Sequence, residues 1–108
     1  MVGRVTGDEW AMITESQYKK LVLSLGCIVT GEQDPDPHHV KCFFHGAGRV
    51  SDWLIIPLAN RLHTGQTDAY HNNKALFEDR YGREVDLLAR TIQRVAEKLA
   101  EKRIKGKI

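Results

Sequence analysis

With 108 residues, 42% of them hydrophobic and 28% charged, the chain has the size and balance of a soluble globular domain with one core. A formal net charge of +2 is too small to announce a nucleic-acid binder by charge alone, and no apolar run approaches the roughly 20 residues of a membrane span. The opening stretch MVGRVTGDEWAMITE lacks the basic-then-apolar layout of a secretory signal, so a cytoplasmic protein without a membrane partner is expected.

In TESQYKKLVLSLG, Thr14 is placed as an N-cap with Gln17 as its capping-box partner, and Gly26 suits a C-terminal stop. This predicts a helix over residues 15–25. From Cys27 the texture changes. CIVTGEQDPDPHHVKCFF is β-branched and aromatic at both ends with a turn-rich middle, which predicts two short strands around a loop. HGAGR reads as a second loop, and DWLIIPLAN as a strand running into a bend at Pro57, completing a ββ unit. Asn72 or Asn73 can cap a short helix over KALFEDRY, closed by Gly82. Beyond it, Val85, Leu88, Ile92, Val95 and Leu99 recur at spacings of three and four. They predict one apolar stripe along a helix from 83 to about 103, suited to a core or to a homodimer. The two cysteines, Cys27 and Cys42, read as buried free thiols rather than a disulfide.

Four of the five histidines, His38, His39, His63 and His71, fall at loop or element ends. Singly, each would be an ordinary solvated or hydrogen-bonded side chain. As a cluster they demand more. Successive strand residues point to opposite sides, so His38 and His39 need separate tasks. Metal-assisted phosphodiester hydrolysis offers that division: one imidazole holds a cation and its neighbour, kept neutral, deprotonates the attacking water. LANRLHTGQTDAYHNN supplies His63 and His71 as further ligands. Imidazole suits Zn²⁺ and other transition metals, while Mg²⁺ would require added water or phosphate oxygens. The spacing matches neither a two-Cys, two-His zinc finger nor H-E-x-x-H.

CIVTG, DPHHV, SDWLIIPLANRLHTG and AYHNNKALFEDRYGREVDLL together resemble the HNH endonucleases of the ββα-metal superfamily, and within them the phage and prophage recombination-enhancement (Ref)-like group. The likeness covers about residues 27 to 92. It implies an α+β fold with a ββα-metal core (27–82); the predicted elements add an N-terminal helical segment (1–26) and a C-terminal helix with a basic tail (83–108) to the same single domain. It implies His39 as general base, His38, His63 and His71 as ligands of one divalent cation (Zn²⁺, Mg²⁺ or Mn²⁺), and Asp52 as the acceptor that holds the base in its working tautomer. Asp52 would otherwise be a plain turn residue. The implied activity is metal-dependent DNA endonuclease action of low sequence specificity in recombination or DNA processing. Its partners would be single-stranded DNA, recombination or replication intermediates, and the bacterial recombinase filament.

One departure concerns structural zinc. Many HNH proteins carry CxxC pairs, whereas here Thr30 stands three residues after Cys27, and Ala59 stands where a cysteine is common after Pro-Leu. A four-cysteine site cannot be built from this chain, so Cys27 and Cys42 are expected to be core thiols. For DNA contacts the candidates are Lys41, Arg49, Arg61 and Lys74 near the site, with Lys102, Arg103, Lys105 and Lys107 as a basic tail. His45 could touch substrate from its loop. The competing readings are a catalytically inactive, metal-stabilised DNA-binding or recombination accessory protein, and a small-phosphodiester hydrolase or metal protein unrelated to DNA. Retention of His39 beside a ligand separates the first reading from these, because a purely structural site has no use for it.

Overall fold

The computed structural model describes residues 13–41 and 51–106, the side chains of 103–106 being outside the description. Thr14 opens the first helix, α1 (Glu15–Leu23), with a reciprocal capping box: its hydroxyl accepts from Gln17 N at 3.1 Å and its own N–H donates to Gln17 Oε1 at 2.8 Å. The helix ends two residues before the expected boundary, at a Ser24 cap, and the chain reverses at buried Gly26. Gly26 has φ of +80°, and a Cβ there would lie 2.9 Å from the Gly31 carbonyl oxygen. Gly31 also has φ of +80°, and its N–H donates to Cys27 O at 2.8 Å. Cys27–Thr30, expected as a strand, is therefore a tight turn, held between two left-handed glycines.

The ββ unit forms from β1 (Asp36–His39) and β2 (Ile55–Leu58), paired antiparallel with Pro37 opposite Pro57 and His38 opposite Ile56. Val40 N donates to Leu54 O at 2.9 Å, and Ile28 N donates to Pro57 O at 2.9 Å from outside the sheet. The ladder bonds thus fall at the 40/54 and 38/56 pairs. The two prolines face each other where neither is asked for an N–H, so a Pro-Pro pair costs the hairpin no ladder bond. After β2 the chain makes a single π-helical turn (Arg61–Gly65), then α2 (Lys74–Tyr81), capped by Asn73, whose side chain accepts from Leu76 N at 3.1 Å. Gly82, with φ of +115°, breaks α2 from α3 (Glu84–Gly106).

The hairpin separates two apolar clusters. Its even-numbered residues Val40, Ile56 and Leu58 pack with Cys27, Ile28, Leu62, Phe77, Leu87 and Leu88, while Ile55 on the other face packs with Tyr18, Val22 and Val95. Helix α3 closes both. Its buried stripe runs through Glu84, Leu87, Leu88, Thr91 and Val95. Leu88 and Val95 are buried as expected and Leu99 packs on the core, whereas Glu84 and Thr91 are buried beside half-buried Val85 and beside Ile92, which is left 49% exposed. Thr91 can take the core position because its hydroxyl donates to Leu87 O at 2.8 Å, within its own helix. Cys27 is a buried free thiol against Ala59 and Leu62; Cys42 lies outside the described residues. Burial pushes the Cys27 thiol up, but hydrogen bonds from Thr30, Ala59 and Val29 outweigh it and hold the pKa below the ordinary value. The two positions that interrupt the CxxC pattern thus meet the remaining cysteine and hydrogen-bond to it.

Among the described residues the fold is a small α+β unit with a two-stranded antiparallel sheet, and no helix is long and apolar enough to cross a membrane. Gly26→Ala should destabilise it by about 1–2 kcal/mol from the left-handed backbone alone, with the carbonyl clash added. Scanning calorimetry would read this as a Tm lower by several degrees. An unchanged Tm would show that the turn does not need glycine.

Candidate functional site

His38, His63 and His71 come together, with one potential ligand atom from each lying within 4.8 Å of the others. Three different pieces of backbone deliver them. His38 sits on β1 and is 2% exposed. His63 is carried by the π turn, whose buried Leu62 anchors it in the core. His71 is held alongside it, since Tyr70 N donates to Leu62 O at 2.8 Å and His71 N donates to His63 O at 3.1 Å. A π-helical turn at this point fits the tendency of such turns to mark functional positions.

Two of the rings are oriented by carboxylates. His38 Nε2 meets Glu84 Oε2 at 2.6 Å, both side chains buried, and His63 Nδ1 meets Asp36 Oδ2 at 3.2 Å, an oxygen that also accepts from Asn60 Nδ2 at 2.9 Å. Burial pushes the Glu84 carboxyl up, but the hydrogen bond and charge of His38, with Tyr70 and Lys74, outweigh it and hold the pKa below the usual carboxylate range. An ionised Glu84 only accepts, so His38 Nε2 donates to it and Nδ1 is the ring nitrogen left over. That Nδ1 is buried without a hydrogen-bond partner. His63 Nε2 and His71 Nε2 face each other at 3.1 Å. Burial, then the neighbouring His63 and Lys41, hold the His71 pKa below its ordinary value, which favours the neutral, ligating form. A partnerless buried nitrogen, two opposed imidazole nitrogens and carboxylates behind two of the rings make a donor set whose chemistry suits a transition-metal cation.

His39, the next residue, faces the other way. Its side chain is 32% exposed, and its Nε2 meets Asp52 Oδ1 at 2.7 Å. If Nε2 donates to that carboxylate, Nδ1 bears the lone pair, which is the tautomer a general base requires. The expected pairing of His39 with Asp52, and the expected separation of His39 from His38, are both the geometry observed.

The cationic candidates divide. The charge of Lys41 acts on His71, and Lys74, whose charge acts on Glu84, has its Nζ 5.8 Å from the Tyr70 ring centre; both therefore flank the histidine cluster. Arg61 differs from expectation: its guanidinium is engaged by Glu32, Nε lying 2.8 Å from Oε1. A guanidinium already paired is a poor phosphate contact. Lys102 is exposed near the far end of α3; Arg103 and Lys105 lie on that helix with side chains outside the description, and His45, Arg49 and Lys107 lie outside the described residues. Glu84, Asp36 and Glu15 were not singled out from sequence. Asp36, inside DPDPHH, carried the one available signal, its closeness to the paired histidines.

The family model described as "Protein of unknown function (DUF968)" matches residues 9–98. Uncharacterized protein YdfU of Escherichia coli (strain K12) is 30% identical over 84 residues, a stretch covering 74% of this chain and 22% of that protein. This chain is therefore much shorter than that curated relative. No solved structure matches it.

The loop between His63 and His71 is tied down by buried Asp68, which accepts from Tyr81 Oη at 2.6 Å, Arg80 Nη1 at 2.9 Å and Gln66 Nε2 at 2.8 Å. These bonds, Tyr81 first, lower its pKa from 3.8 to about 2. Because the folded value is the lower one, the stabilisation is fully present above the unfolded value and is lost as pH falls from 3.8 toward about 2. Asp68→Asn should be less stable than the wild type at pH 7 and should lose the part of the acid-induced fall in Tm that lies in this window. Parallel melting curves of the two proteins over the whole interval would contradict the role given to Asp68.

Proposed function

We propose that this chain, which belongs to the DUF968 family, is a metal-dependent endonuclease of the HNH type that hydrolyses DNA phosphodiesters with low sequence specificity. The observation that carries the reading is the division of labour between two adjacent histidines. His38 is buried with its Nδ1 partnerless and belongs to a three-histidine cluster, while His39 is half-exposed and paired with Asp52. The chain order β1, β2, α2 agrees with a ββα-metal core, with the π turn and following loop supplying the later histidines.

His38, His63 and His71 would hold the cation, with Glu84 and Asp36 orienting two of the rings. When bound there, a divalent cation supplies charge neutralisation at the phosphate and at the departing oxygen; three imidazoles favour a transition metal such as Zn²⁺ or Mn²⁺ over Mg²⁺. His39 takes the proton of the attacking water. Asp52 keeps its Nε2 protonated and stabilises the imidazolium that forms. Lys41 and Lys74 add positive charge beside the cluster, where the scissile phosphate must sit. None of these groups is a base-reading element, in keeping with low sequence specificity.

Cleavage of supercoiled plasmid and of single-stranded DNA should depend on added Mg²⁺, Mn²⁺, Ni²⁺ or Zn²⁺. His39→Ala should lose roughly a hundredfold or more in rate with metal affinity intact, whereas His63→Ala should lose metal binding by calorimetry. If His39→Ala cut like the wild type, the assigned base would be wrong. Binding of metal and DNA by the wild type with no cutting of either substrate would favour the inactive accessory module.

A further inference from the structure

The segment that carries Asp52 is fastened to α1. Glu15, the first residue of that helix, places one carboxylate oxygen, Oε2, 2.6 Å from Asp52 N and 2.8 Å from Ser51 Oγ. Both groups are donors, so Glu15 holds the backbone of Asp52 and the residue before it at once. Ser51 is committed further, accepting from Trp53 N at 3.0 Å on its hydroxyl and from Leu54 N at 3.1 Å on its carbonyl. One turn along α1, the buried Tyr18 ring packs against Trp53, with centres 4.7 Å apart. Residues 51–54 are thus held to α1 at two points, and Asp52 reaches from them to His39 Nε2 at 2.7 Å.

We infer that Glu15 is a positioning residue for His39: it fixes Asp52, and Asp52 fixes the imidazole. This deepens the nuclease reading and rests on it for its catalytic consequence. A carboxylate is not placed next to Asp52 for charge, since the two acids repel. Its use lies in accepting two hydrogen bonds from the segment that carries Asp52. Glu15 at the start of a helix is itself favoured by the positive end of the helix dipole, which makes α1 a firm anchor. The family match, which begins at residue 9, spans α1, so the helix is part of the matched domain.

The test uses the full chain as wild type, Glu15→Ala, Glu15→Gln, Ser51→Ala and His39→Ala, with Mn²⁺ as the cation for cleavage and diamagnetic Zn²⁺ for the spectra. Two readouts are taken: steady-state cleavage of single-stranded DNA, and the His39 ring nitrogens by long-range ¹H–¹⁵N NMR. Glu15→Ala should lower kcat roughly tenfold to a hundredfold, the range for outer-shell partners, with KM within about twofold. Its His39 signals should move from a single Nε2–H tautomer to a mixture. Glu15→Gln keeps an acceptor oxygen and should restore both readouts. Ser51→Ala removes one of the two bonds and should lie between, which keeps the test decisive if Glu15→Ala does not fold. Wild-type kcat and an unmoved tautomer in Glu15→Ala and Ser51→Ala, with His39→Ala inactive, would overturn the inference alone. Wild-type cutting by His39→Ala would instead overturn the assigned base, and the NMR signals would then decide whether Glu15 orients the ring.

Discussion

The contact between His38 and Glu84 is the constraint on which the rest of the arrangement depends. It joins the middle of the sheet to the first residue of α3 at 2.6 Å, with both side chains buried. Burying a carboxylate is costly unless it is paired and hydrogen-bonded. Here the imidazole supplies the pairing, Tyr70 adds a hydrogen bond, and the start of a long helix adds a favourable dipole. The same bond decides the chemistry of the ring. With Nε2 committed to Glu84, only Nδ1 is left for the cluster, and it has no other partner. Removing Glu84 would cost both the docking of α3 and the orientation of His38, so fold and site cannot be separated at this point.

Strand alternation carries the constraint onward. Because His38 must face Glu84, His39 must face the opposite side, toward α1 and the loop after residue 50. The site is therefore built across a sheet of two strands, with an apolar cluster on either face. On one side is the three-histidine cluster, with His38 buried and carboxylates behind His38 and His63. On the other is a half-exposed ring held by Asp52, with Glu15 behind it. The paired prolines at 37 and 57 suit this plan, since they stiffen the hairpin at a pair that needs no ladder bond.

Features written in local chemistry were legible in the sequence. The Thr14 and Asn73 caps, the short strand over IIPL, the break at Gly82 and the long amphipathic helix each follow from neighbours within a turn or two. So did the opposed directions of His38 and His39, which need only the two-residue period of a strand. What escaped was set by contacts across the fold. Glu84 lies 46 residues from His38, and Glu15 lies 37 from Asp52. Nothing in the local pattern marks either as more than a helix-opening acid. The α3 stripe kept Leu88, Val95 and Leu99 but differed at two places, because a threonine that satisfies its own hydroxyl and a glutamate that finds a buried histidine both occupy core positions that a hydrophobic pattern passes over. The turn at Cys27–Thr30 looked like a strand because its β-branched residues outweighed the glycines on either side.

The most direct measurement is X-ray absorption on the full chain loaded with Zn²⁺, alongside His38→Ala. A three-histidine site predicts about three imidazole nitrogens at about 2.0–2.1 Å, with one lost in the variant. A first shell of oxygens alone, or a spectrum indifferent to His38→Ala, would contradict it.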